Sequence, residues 1–106
     1  MVTGPDPASV RDASRAGEVL ELMGKTNVRL IVNRIDRKMA NLLNITVDDI
    51  MDTAGLPLIG VVPEDQSVVL SAAFKQPLLG YTRKGAAAAY QRIAKRIIGY
   101  ATPIQL

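Results

Sequence analysis

Three polar stretches carry the residue types that could do chemistry in this chain. They are Thr3-Gly4-Pro5-Asp6, Asn33-Arg34 and Pro63-Glu64-Asp65, and each follows a strand-like run. If the runs are parallel strands, all three stretches reach one edge of the sheet, where open α/β sheets bind their ligands. Asn33 is the most informative single residue. Its amide offers a donor and an acceptor together, which matches the N6/N7 edge of adenine. Pro63 and its neighbouring backbone amides could supply a flat wall and the remaining contacts of a base pocket. The same residues also fit a purely structural role, with Asn33 capping a turn and Pro63 ending a strand, and spacing leaves both open. The carboxylate pairs Asp48-Asp49 and Glu64-Asp65 could hold a hard cation or act as dipole-stabilising caps. No complete phosphate loop is present: neither G-x-x-x-x-G-K-[ST] nor G-x-G-x-x-G occurs. Gly24-Lys25-Thr26 follows a helix, so it reads as a C-cap and loop.

Composition narrows the chemistry further. The 106 residues include no cysteine and no histidine. That removes disulfides, thiolate metal sites, thiol catalysis and the usual base of a catalytic triad. Apolar residues make up 48% and charged residues 22%, a globular balance. No apolar run approaches the roughly 20 residues that cross a bilayer, and no signal-peptide pattern opens the chain. One small domain in a reduced, cytoplasmic setting is expected.

Charge is distributed unevenly. Residues 1–74 hold seven basic and ten acidic side chains, whereas residues 75–106 hold six basic and no acidic ones. Arg92, Lys95 and Arg96 form the expected basic surface of the last helix. Such a surface could attract DNA or anionic lipid, or could simply be a solvated helix face. Aromatics are limited to Phe74, Tyr81, Tyr90 and Tyr100, too sparse for a base-stacking platform, which argues against nucleic acid as a partner.

The elements that must position these residues can be read in order. Met1–Thr3 is a strand stub. Asp6 as N-cap and Pro7 at the first helical position open a helix with Val10, Ala13, Gly17 and Leu20 on its apolar stripe, flanked by Ala16, Val19 and Met23. Residues 28–32 and 58–62 read as buried strands, and 34–45 is ambiguous apart from a helical turn near 39–43. Thr46 and Asp49 form a capping-box start to a short helix ending at Gly55. A helix opens at Asp65 or Ser67 and breaks at Gln76-Pro77. The last helix is expected over 83–98, capped by Thr82, with Tyr90, Ile93 and Ile97 facing the core. The alternation predicts an α/β fold: a parallel sheet of about three strands with helices on both faces.

Five segments together resemble a known family. Val-Thr-Gly-Pro-Asp (2–6), Ser-Val-Arg-Asp-Ala-Ser-Arg (9–15), Leu-Ile-Val-Asn-Arg (30–34), Leu-Ile-Gly-Val-Val-Pro-Glu-Asp-Gln-Ser-Val (58–68) and the closing Gly-Ala-Ala-Ala-Ala-Tyr-x-x-Ile-Ala-x-Arg-Ile-x-Gly (85–99) stand in the order seen in the MinD family. These are septum-site-determining ATPases of the deviant-Walker-A, ParA-like P-loop group. The resemblance covers residues 1–106 and corresponds to the C-terminal half of that family's ATPase domain. It implies a cell-division protein that dimerises around ATP, sits peripherally on the inner face of the membrane and works with MinC-like and MinE-like partners. It implies that Asn33 recognises adenine, with Arg34, Val62, Pro63, Glu64 and Asp65 around the base. Asp6 would contact ribose across a dimer, and helix 8–23 would lie near the dimer and partner surface.

Departures from the family pattern modify these expectations. The Walker A lysine loop, the magnesium ligands and the switch regions have no counterpart in this sequence. No catalytic residue or metal site is therefore expected of the chain alone; ATP or ADP would bind weakly, and magnesium belongs to a full-length parent. Gly4 replaces a usual Thr or Asn, and Ser14 a usual Asp. Ala73-Phe74-Lys75-Gln76-Pro77 replaces a segment ending Gly-Glu-Pro. The family's membrane-targeting helix would follow Leu106. The alternative expectation is a non-catalytic module that self-associates or pairs with a MinD-type protein.

Overall fold

The computed structural model describes residues 1–100 and Ile104. The element order is β1(Val2–Thr3), α1(Pro7–Leu22), β2(Leu30–Ile35), α2(Arg37–Leu42), α3(Val47–Ala54), β3(Leu58–Pro63), α4(Gln66–Ala73), α5(Leu78–Tyr81) and α6(Ala86–Ile97). The three strands form one parallel sheet in the order β1-β2-β3. Crossovers through α1, and then through α2 and α3, carry the chain from each strand to the next.

Helices cover both faces, as the alternation predicts. On one face Val10 and Ala13 of α1 and Ile50 and Ala54 of α3 pack over Leu30, Val32, Ile35 and Val61. On the other, Ala86, Ala89 and Ile93 of α6 pack over Ile59 and Val62. Leu30 and Val32 are fully buried, as a central parallel strand requires. Helix starts follow their local chemistry. Asp6 accepts the Ser9 amide at 3.0 Å with Pro7 next in sequence. Thr46 and Asp49 close a reciprocal capping box, at 3.2 Å and 2.9 Å.

The β2–β3 ladder contains two irregularities that offset one another. Leu30 pairs with Leu58 but Ile31 pairs with Gly60, so Ile59 has no counterpart on β2. Val32 then pairs with Val61 and Ile35 with Pro63, so Asn33 and Arg34 together face Val62. Arg34 accommodates its extra length with a φ of 61°, a left-handed backbone that a long side chain seldom takes. Bulges of this kind re-aim side chains at sheet rims and beside sites. This one lies at the carboxyl edge, next to Asn33.

Several boundaries differ from those read off the sequence. β2 is displaced toward the C-terminus and runs through Ile35, because the bulge lets the polar pair Asn33-Arg34 remain in the strand. The last helix starts at Ala86, not Arg83. Thr82 does not cap it; its hydroxyl oxygen accepts the Lys84 amide at 3.2 Å, and Gly85 takes the N-cap position. The core face of α6 is Ala86, Ala87, Ala89 and Ile93, whereas Tyr90 is half-exposed and Ile97 is exposed. Small alanines let the helix sit close to the strand, so the sheet selects the alanine face over the bulkier one. Val19 of α1 and Met23 at its C-cap are exposed, with the buried side of the helix limited to Val10, Ala13 and Gly17. The Gln76-Pro77 break is followed by the short α5, where no helix is expected from sequence.

Candidate functional site: the carboxyl edge of the sheet

Asn33, Arg34, Val62, Pro63, Glu64 and Asp65 line a single cavity of about 140 Å³ at the carboxyl ends of β2 and β3. Parallel pairing brings the two strand ends side by side, and the Glu64 amide donates to the Ile35 carbonyl at 2.8 Å, extending the pairing past the strand. Asn33 and Val62 lie on the α6 side of the sheet, adjacent to each other across the bulge. Two further residues complete the lining, Val68 from α4 and Tyr90 from α6. Neither was a site candidate in the sequence, where Tyr90 was expected to face the core.

Asp65 sits at the rim with both carboxylate oxygens engaged. Oδ1 accepts the Ser67 amide and Oδ2 accepts the Ala86 amide, each at 2.9 Å. The Ala86 amide, then the Ser67 amide, holds this carboxyl below the ordinary aspartate range by stabilising its charged form. Asp65 is therefore the N-cap of α4 and, at the same time, a cap on α6.

Asp6 lies elsewhere. It lines a neighbouring cavity of about 390 Å³ with Arg34, Asp36 and Glu64, among mostly apolar neighbours such as Met39 and Ile50. Its Oδ2 accepts both the amide and the hydroxyl of Ser9, at 3.0 Å and 2.9 Å. The Ser9 hydroxyl, then the Ser9 amide, pulls its carboxyl below the usual range. Arg34 and Glu64 line both cavities and form the partition between them.

Of the expected basic surface, Lys95 is exposed, Arg92 is half-buried and Arg96 turns inward. The Arg96 guanidinium donates to the Ile59 carbonyl at 2.9 Å, at the residue that has no ladder partner. Burial, with Arg92 nearby as the lesser cause, lowers its pKa. Among the described residues, no group of three or more His, Cys, Asp or Glu is placed to hold a metal ion. No helix among them is long and apolar enough to cross a membrane.

No protein-family model matches the chain. The septum site-determining protein MinD of Synechocystis is 37% identical over 105 residues, which is 97% of this chain and 40% of that protein. MinD in the solved MinC:MinD cell division complex of Aquifex aeolicus superposes with a TM-score of 0.91 at 32% identity, over 99% of this chain and 44% of that one. The chain matches part of MinD. It spans about two fifths of the length of the curated MinD relatives it matches. MinD of Pyrococcus horikoshii, solved with Mg-ADP, shares the same fold with a TM-score of 0.78 at 24% identity, over 92% of this chain and 40% of that one. The likeness to MinD thus extends across both faces of the sheet and includes the edge that carries Asn33.

Proposed function

We propose that these 106 residues supply the adenine-recognition side of the ATP site in a MinD-like cell-division ATPase, corresponding to the C-terminal half of its domain. The supporting observation is the convergence of Asn33, Arg34, Val62, Pro63, Glu64 and Asp65 on one cavity at the carboxyl edge. Asn33 reads the base by its paired donor and acceptor, Pro63 and Val62 form apolar walls, and Arg34 and Glu64 border the opening. Asp6, which lines the neighbouring cavity, would meet the ribose of a nucleotide across a dimer rather than the base. The sequence has no lysine-bearing phosphate loop. Transfer chemistry depends on groups that neutralise and hold phosphates, so the chain by itself binds ATP or ADP weakly and does not hydrolyse ATP. Magnesium would enter only with the phosphate-binding part of a parent protein.

A second reading, that the chain acts by association, is favoured by the exposed outer edge of β1. That strand is two residues long and Val2 is 63% exposed. An unpaired parallel edge is a template for another strand, from a second copy or from a MinD-type partner. A MinC-like partner is suggested by the Aquifex complex, and a MinE-like partner by family resemblance. The place of action would be the cytoplasm, peripherally at the inner membrane face.

Titration calorimetry of the chain with ADP and GDP tests the base reading. ADP is expected to bind more tightly, and Asn33→Ala to lower ADP affinity about tenfold by removing a paired hydrogen-bonding edge. Equal affinity for both nucleotides would falsify it. Magnesium-dependent turnover of ATP by the purified chain would overturn the expectation of inactivity.

A further inference from the structure

We propose that Asp65 is a positioning residue that locks the N-terminus of α6 to the β3–α4 turn, so that Tyr90 stands as a wall of the Asn33 cavity. The proposal rests on the base-pocket reading and deepens it: Asp65 acts through the helix it holds, and Tyr90 is the residue that meets the ligand.

The geometry carries the argument. A helix begins with amides that have no partner within the helix. The first turn of α6 receives no cap from its own N-cap residue, because Gly85 has no side chain. Asp65 fills that role from 21 residues away, while its other oxygen caps its own helix. Gly85 is required in this arrangement: a Cβ there would run into the Asp65 carboxylate, and its φ of 57° with ψ of −123° is a backbone state that side chains disfavour. The lock is thus a matched pair, a carboxylate and the missing side chain that makes room for it. Tyr90 follows Ala86 by about one helical turn, so a shift of the first turn carries the ring with it. Asp65 follows Pro63 and Glu64 directly, and both of these line the cavity. One carboxylate therefore sets the distance between the two sides of the pocket.

The test uses the 106-residue chain as wild type, Asp65→Asn and Tyr90→Ala. Amide hydrogen exchange and Tyr90 ring shifts are read by NMR, and ADP and GDP affinities by calorimetry. Asp65→Asn is expected to speed exchange at the Ala86 amide about tenfold more than at Leu30 or Val32, to move the Tyr90 ring signals, and to reduce the ADP-over-GDP preference several-fold. Tyr90→Ala is expected to reduce the same preference while leaving Ala86 exchange unchanged. The proposal fails if Asp65→Asn leaves Ala86 exchange and the Tyr90 signals as in wild type. Loss of ADP binding without either structural change would instead make Asp65 a direct contact, which also overturns it. If Asp65→Asn does not fold, an unchanged ADP preference in Tyr90→Ala is sufficient to sink the proposal. A wild-type chain that binds ADP and GDP alike removes the base-pocket reading, and the exchange and ring-shift readouts still decide whether the lock exists.

Discussion

Asp65 Oδ2 accepts the amide of Ala86 at 2.9 Å, joining the turn after β3 to the start of α6. This bond ties the polar edge of the sheet to the helix on its back face through a charged side chain at a helix start. It gives the stability of the domain an acid dependence with a definite sign.

The Asp65 carboxyl titrates below its usual value of 3.8, because the Ala86 and Ser67 amides favour its charged form. Its folded pKa lies under its unfolded one. The stability it contributes is complete above the unfolded value and is lost as pH falls through the folded one. Denaturant midpoints should therefore begin to drop as pH falls toward 3.8 and keep dropping below it, and drop less in Asp65→Asn, whose side chain cannot titrate. Equal slopes in the two proteins would remove Asp65 as a source of the acid dependence.

Ile93 rests directly on Gly60. A Cβ at position 60 would overlap the Ile93 side chain, so α6 crosses β3 where the strand has no side chain. Gly60→Ala should destabilise the chain by about 1–3 kcal/mol, the usual cost of overpacking. Pairing it with Ile93→Ala, which removes the clashing γ- and δ-carbons, should cost less than the sum of the two single variants, because the two sites share one volume. Urea denaturation of the single and double variants measures both. Additive losses would mean that Gly60 matters for a reason other than this contact.

Lys75 ends α4 with a φ of 55°, in the left-handed region. The Gln76 amide donates back to the Ser71 carbonyl at 2.8 Å, the backbone closure that favours glycine one residue past a helix. The resembled family has glycine in this place. Lys75→Gly should raise stability by about 1 kcal/mol by relieving the backbone cost of a side chain there. A lower thermal midpoint in this variant would show that the lysine side chain contributes more than the backbone loses.

Arg96 and its basic neighbours should separate by function. Arg96→Met removes a charged donor from the Ile59 carbonyl and should cost about 1 kcal/mol, leaving any attraction to anionic vesicles nearly unchanged. Arg92→Gln with Lys95→Gln should behave oppositely, weakening vesicle binding with little effect on stability. Sedimentation with phosphatidylserine vesicles at low and high salt reads the first property, and urea denaturation the second. If Arg96→Met alone abolished vesicle binding, the inward position of its guanidinium would not describe the protein in solution.

Local chemistry made much of the fold legible in sequence. Asp6-Pro7, the Thr46–Asp49 box and the apolar runs at 28–32 and 58–62 are short-range signals, each satisfied by a few neighbouring residues, and each produced the expected kind of element. The likeness to MinD was carried the same way, by contiguous segments such as Val-Pro-Glu-Asp-Gln. The strand end expected at Asn33 lies two residues further on, at Ile35, because the bulge keeps Asn33 and Arg34 within the ladder.

What the sequence by itself determined was therefore the element types, the parallel α/β arrangement and the residues available at its carboxyl edge. Tertiary structure alone decided how those residues meet. The bulge at Arg34 depends on β3 offering one residue against two, a property of the pair of strands and of neither alone. The inward turn of Arg96 depends on an unpaired stretch of ladder at Ile59. The cap on α6 comes from Asp65 because Gly85 can supply none, and no local pattern connects residues 21 positions apart. Helix caps and strand runs are set by neighbours along the chain, whereas the shape of the pocket is set by neighbours in space.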